Sequence, residues 1–201
     1  METRYQASWL AALAGGLLAV VGSPAGAAAA VAADVAPSLL ASLPGDWLDD
    51  AGRALDLHAL GGQQLVLTMA YASCHRVCPM TIHHLEALQA ELDAAGEQAT
   101  FVVVGFDPQR DDPAAWRAYR RERGLTRSNW LFLTARDDRQ VRRFASRLGF
   151  EFWRYDEHVM HDERVVVLAP GGALQVSAGP GQILHAHDLR SAREGADSKG
   201  T

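Results

Sequence analysis

Cys74 and Cys78 are the only cysteines in the chain, set in the segment A-S-C-H-R-V-C-P. Three residues separate them, which puts the two sulfurs about one helical turn apart. A disulfide needs Cα atoms within about 7 Å, and positions i and i+4 of a helical turn can meet that. The same spacing lets both thiolates grip one metal ion. Thiolates are soft ligands that suit copper(I) or zinc. Zinc wants four ligands, so a dithiolate completed by one further side chain makes a trigonal site that fits copper better. The competing reading is an inert structural disulfide. Closing so short a loop adds little stability, and a domain of this size does not need a staple.

Eight histidines could supply the further ligand: His58, His75, His83, His84, His158, His161, His185 and His187. His75 lies between the cysteines and could touch a bound metal, although so tight a chelate is strained. His83 and His84 fall on the polar side of a helix. His185-Ala186-His187 reads as a polar face. His158 and His161 stand in a loop with Met160 between them. Spacing alone does not choose among these residues.

The elements that position the cysteines are legible around them. Residues 65–71, LVLTMAY, form a continuous apolar run of strand length, as a buried strand does. Residues 80–95 place Ile82, Leu85, Leu88 and Leu92 on one helical face, and Gly96 ends the helix. The pair therefore sits between a buried strand and a helix N-terminus, the end of an α/β sheet where sites are built. Backbone N–H groups there favour thiolate over thiol. A hairpin is expected over 47–55, with D-D-A-G as its turn. Further on, 100–106 reads as a second buried strand. Asp112-Pro113 caps and opens a helix to about 123. Short strands at 130–133 and 150–155 flank a helix over 137–148. Strand 164–169 turns at Pro170-Gly171-Gly172 into 173–177, and a last helix runs from 180 or 181 to about 193. This alternation predicts an α/β domain with a mixed sheet flanked by helices.

The 201 residues are 48% hydrophobic and 21% charged, with a formal net charge of −5. That composition is globular and lacks the basic face a nucleic-acid binder needs. Arginines cluster at Arg117, Arg120, Arg121 and Arg123, and again at Arg139, Arg142, Arg143 and Arg147, but acids interleave and both clusters read as solvated helix faces. Residues 8–21 form an uncharged apolar run, followed by Ala25-Gly26-Ala27 as a small-x-small cleavage candidate. Residues 1–33 are thus expected to be a signal peptide or a retained membrane anchor, and 34–44 a linker. The domain spans 45–193, and 194–201 form a flexible tail. Either leader implies an exported domain in an oxidising compartment, periplasmic or held at the outer face of the inner membrane.

Several blocks together carry a family resemblance. Y-A-S-C-H-R-V-C-P resembles the Sco/SenC motif. V-G-F-D-P-Q-R-D-D-P, W-L-F-L-T and H-D-E-R-V-V-V-L-A-P-G-G resemble later family segments, in the family's order, over roughly residues 45–192. The resemblance implies a thioredoxin-like fold and copper as the bound metal. It implies Cys74 and Cys78 as thiolate ligands and His161 as the imidazole ligand, because His161 stands nine residues before Pro170 as the family's histidine stands before its turn. Asp107 matches the family's acidic residue near the site, acting on the ligands from behind them. The implied role is a metallochaperone that delivers copper to a copper enzyme such as the copper subunit of a respiratory cytochrome oxidase. The alternative is a thiol-disulfide oxidoreductase that reduces a partner's cysteines through the same pair. A peroxide-reducing enzyme would need an activating Arg and Thr, for which Arg76 is the only nearby arginine. The chain departs from the family at two places: His75 replaces the proline after the first cysteine, and Met160 replaces the Asp before the metal histidine. Both are potential extra copper ligands, with core filler the favoured reading of Met160.

Overall fold

The computed structural model describes residues 38–72, 78–156 and 158–197. The expected leader, the first linker residues, Cys74, His75 and the end of the tail lie outside the described residues. One helical turn, α1 (Leu39–Ser42), is capped by the Ser38 hydroxyl. The expected hairpin follows as β1 (Asp46–Asp49) and β2 (Ala54–Asp56). Its turn is pinned by the Asp49 carboxylate, which accepts the N–H groups of Ala51 and Arg53 at 2.9 and 2.8 Å.

The body is built from β3 (Leu65–Ala70), α2 (Cys78–Ala94), β4 (Thr100–Gly105), α3 (Pro113–Arg123), β5 (Trp130–Thr134) and α4 (Asp138–Leu148). Strands β3, β4 and β5 are parallel neighbours. All six positions of both β3 and β4 are buried, which is why these strands read as unbroken apolar runs. Helix α3 starts where Asp112 accepts the Ala115 N–H at 2.7 Å and stops at Gly124, whose φ of 68° a side chain would strain. Rings fill the core: Phe101 stacks on Trp130 at 4.7 Å, and Trp47 meets Phe144 edge-on at 5.2 Å.

The chain ends with β6 (Phe152–Tyr155), β7 (His158–His161), β8 (Val165–Leu168), β9 (Leu174–Ala178) and α5 (Ala186–Asp197). The main sheet runs β2-β1-β5-β4-β3-β8-β9, with β1 and β8 antiparallel to their inner neighbours. This is the mixed sheet, flanked by helices and carrying an N-terminal hairpin, that the sequence predicts. Two expectations change. Residues 158–161 are not a loop but a strand, paired with β6 in a separate two-stranded ribbon. The last helix opens at Ala186, not at 180 or 181, and continues to Asp197. Gly181 is left-handed at φ 73°, and the helix start is fixed later by Asp188 accepting the His185 N–H and Glu91 accepting the Ala186 N–H, both at 2.9 Å.

Candidate functional site

Strands β3 and β4 end side by side, Ala70 opposite Gly105. Beyond β3 come Tyr71 and Ala72, then the segment with Cys74 and His75. Cys78 is the first residue of α2, a 17-residue helix with no acidic residue in its first turn. Nothing in that turn offsets the positive potential of the helix N-terminus. The dithiol segment is therefore strung between the end of a central strand and a long helix.

Two carboxylates four residues apart fasten that end of the sheet. Asp111 is fully buried. Its Oδ1 accepts the Ala72 N–H and its Oδ2 accepts the Asp107 N–H, both at 2.8 Å. Asp111 thus ties the exit of β3, two residues before Cys74, to the exit of β4. The fit demands Gly105, because a Cβ there would lie 2.6 Å from the Asp111 Cβ. Burial above all lifts the Asp111 carboxyl from its ordinary 3.8 to about 7; the amide bonds from Asp107 and Ala72 offset part of this, and the nearby Asp107 charge adds to it.

Asp107 is 1% exposed. Its Oδ1 accepts the Gln109 N–H at 3.1 Å and its Oδ2 accepts Arg154 Nη1 at 2.9 Å. Burial pushes its carboxyl up, but the Arg154 and Gln109 bonds, with the charges of Arg154 and Arg110, outweigh it and hold the group below the usual range. Asp107 is therefore an anion, locked by an arginine that comes from the ribbon.

The ribbon also brings His161. In the β6–β7 register Phe152 faces His161 and Trp153 faces Met160. The His161 ring stacks on Phe106, the residue between β4 and Asp107, with centroids 4.6 Å apart. Phe152 packs on the same ring at 5.2 Å. His161 Nδ1 lies 2.8 Å from the Asp162 carbonyl oxygen. A carbonyl only accepts, so Nδ1 carries the hydrogen and Nε2 is the basic nitrogen. This is the arrangement that orients a metal-ligating imidazole. Met160 is 45% exposed, which rules out the core-filler reading.

The structure thus brings Asp107 and His161 together at the sheet end that leads into the dithiol, while other described histidines pair with different partners. His58 Nε2 meets the Leu43 carbonyl at 2.9 Å, His83 meets Glu86, and His185 meets Glu91 at 2.8 Å. Among the described residues no three His, Cys, Asp or Glu side chains converge on a metal position. Asp111, Arg154 and Phe106 carry no role in the sequence reading. The available signal was the pair of carboxylates at i and i+4 directly after a buried strand.

Because Arg154 donates to the buried Asp107 carboxylate, Arg154→Ala is expected to weaken the pairing of that charge. Breaking a buried pair costs about 3 kcal/mol, and partial exposure of the arginine brings this to about 2. Urea unfolding measures the loss, and amide exchange should show β6–β7 opening before the main sheet.

Comparison with known proteins supports a single family. The SCO1/SenC family model matches residues 44–186. The SCO1 protein homolog of Bacillus subtilis is 23% identical over 132 residues, covering 64% of this chain and 68% of that protein. The solved structure of BsSco, described as a member of the Sco family of cytochrome c oxidase assembly proteins, aligns with a TM-score of 0.66 at 19% identity, covering 78% of this chain and 93% of that one. Yeast Sco1 with copper bound aligns with a TM-score of 0.62 at 20% identity, covering 78% of this chain and 90% of that one. The architecture is the thioredoxin-like one of these structures. With 143 of its residues, 44 through 186, inside the family model, this chain belongs to the SCO1/SenC family.

Proposed function

We propose that this protein is a copper metallochaperone that binds copper through Cys74, Cys78 and His161 and passes it to a copper enzyme, a respiratory cytochrome oxidase copper subunit being the intended recipient. The observation that carries this is His161: its ring is keyed by the Asp162 carbonyl and stacked on Phe106 at the end of β4, beside the strand that leads into the dithiol. Two thiolates and one imidazole are a donor set suited to copper(I). Family membership supports the same assignment, as does a copper-bound Sco1 of like fold. Asp107 serves by holding Arg154, and through it the ribbon on which His161 rides. The apolar run at 8–21 and its small-residue continuation support export, with the domain periplasmic or anchored on the outer face of the inner membrane. Copper titration of the reduced protein tests the proposal. One equivalent should bind, and Cys78→Ser should abolish it. A reduced protein that exchanges thiols rapidly but takes up no copper overturns it.

A second reading is a thiol-disulfide oxidoreductase acting on the cysteines of a partner copper site. The placement of Cys78 at the opening of a long helix with an acid-free first turn favours it, since such a position lowers a thiol pKa. In this reading one thiolate attacks the partner disulfide, the other resolves the mixed disulfide, and the pair leaves oxidised as the partner dithiol is released.

A further inference from the structure

Helix α4 carries a cationic face that the copper chemistry does not use. Its inner side is Gln140, Val141, Phe144, Ala145 and Leu148, all buried. Its solvent side after Asp138 is Arg139, Arg142, Arg143, Ser146 and Arg147. Arg136 adds a fifth guanidinium just before the helix, and the cleft along this face is lined by these five arginines against only Asp46 and Asp137. Among the described residues none of the five makes an ion pair. Several arginines elsewhere are matched, Arg53 with Asp49, Arg120 with Asp50, Arg127 with Asp93 and Arg164 with Asp162, while on α3 Arg117 donates to the Asp50 carbonyl and Arg123 lies over the Tyr119 ring. The acids that interleave in sequence are committed elsewhere. Asp137 accepts the Gln140 N–H as the helix cap, and Asp138 faces Arg154 at 3.7 Å. A chain of net charge −5 thus carries, among its described residues, five guanidinium groups without an ion pair along α4 and its lead-in.

We infer that this face docks on an anionic phospholipid surface, its guanidinium groups engaging the lipid phosphates. Arginine forks suit phosphate oxygens bidentately, and clustered cations near anionic lipid bind additively. Two further features favour a bilayer over an acidic protein. The same cleft is lined by Ser42, Leu43, Pro44 and Gly45, the point where the chain enters the domain after the apolar run at 8–21. Any surface that takes up that run therefore lies within tether reach of α4. The ribbon β6–β7 also borders α4, with the Arg142 guanidinium 5.9 Å over Phe152, and it exposes Trp153 and Tyr155 at 57% and 66%. These are the residue types that settle at membrane interfaces.

The test is sedimentation of the full chain with vesicles of phosphatidylcholine alone or with one third phosphatidylglycerol. The apolar run contributes to both, so the ratio reads the charged face. Partition should favour the anionic vesicles by about tenfold or more at low salt and lose that preference at high salt. Arg139→Gln/Arg143→Gln should remove most of the preference. Arg121→Gln/Arg123→Gln on α3, an equal change of charge, should retain it. Equal partition of the wild-type chain overturns the inference, as does a preference that survives Arg139→Gln/Arg143→Gln. Displacement from anionic vesicles by inorganic phosphate at constant ionic strength also overturns it, by pointing to a site for the free ion. Copper binding is read separately, so a failure here leaves the metallochaperone reading standing.

Discussion

His161→Ala is expected to lower the affinity of the reduced protein for copper(I) by about a hundredfold or more, while the dithiol continues to exchange with small disulfides at close to the wild-type rate. Loss of a group that merely orients a ligand already costs about tenfold to a hundredfold, and His161 is the proposed ligand itself. The two readouts separate the competing functions. The imidazole is on β7, whereas Cys78 opens α2, so removing the ring leaves the start of that helix in place. The ring is partly exposed and stacks on Phe106 with one face, so the variant should fold. Competition titration against a copper(I) chelator and a stopped-flow thiol assay give the two numbers. Unchanged copper affinity removes His161 from the ligand set. Equal loss of both activities would mean that the ring acts on the cysteines and not on the metal.

Asp111→Asn carries the largest expected cost in stability. The side chain of Asp111 is the acceptor for two amides, and an asparagine can offer only one carbonyl oxygen in their place. One buried N–H then lacks an acceptor and faces an amide NH2, at a cost of about 2–3 kcal/mol. The melting temperature should fall by roughly 5–10 °C for a domain of this size. The pH dependence is as informative. Asp111 keeps its proton up to about pH 7 in the folded protein but loses it near its ordinary 3.8 when unfolded. Between those values the native state holds a proton that the unfolded chain has released, so stability declines as pH rises from about 4 to about 7 and is level above. Asn does not titrate, so the variant should lack this slope. Urea unfolding at about pH 5 and about pH 8 measures it; a slope identical to wild type would place the buried proton elsewhere. The His185–Glu91 pair acts in another window. The hydrogen bond to Glu91 raises His185 above its usual 6.5, so its contribution is full below that value and fades as pH climbs through the raised one.

Much of this was readable from the chain because local signals coincide with the tertiary outcome. LVLTMAY and TFVVVGF are unbroken apolar runs because β3 and β4 are covered on both faces. Asp112-Pro113 and Gly124 bracket α3 because each satisfies or permits backbone geometry at a helix end. The strand at 158–161 was not readable. Its partner is β6, and F-W-R-Y facing H-V-M-H offers four residues on each side with no run of apolar residues to mark it. Asp111 hides for a different reason. Beside Asp112 it looks like part of a polar helix start, and only the folded chain shows that Ala72, 39 residues upstream, needs its oxygen. The arginines of α4 follow the same logic. Asp137 and Asp138 stand among them in sequence, but a helix cap and an ion pair with Arg154 take those two acids away.

The ribbon has a consequence that belongs to parity. Its side chains alternate, so of the neighbours Met160 and His161 one must face Phe106 and the other must face away. The structure gives the inward place to the imidazole. A chain with one residue added to the tight turn at Asp156 would shift β7 by one step against β6 and offer the thioether of Met160 in its stead. The choice between a hard-edged nitrogen donor and a soft sulfur donor at this site is thus written in an odd or even count of residues as much as in which residues they are.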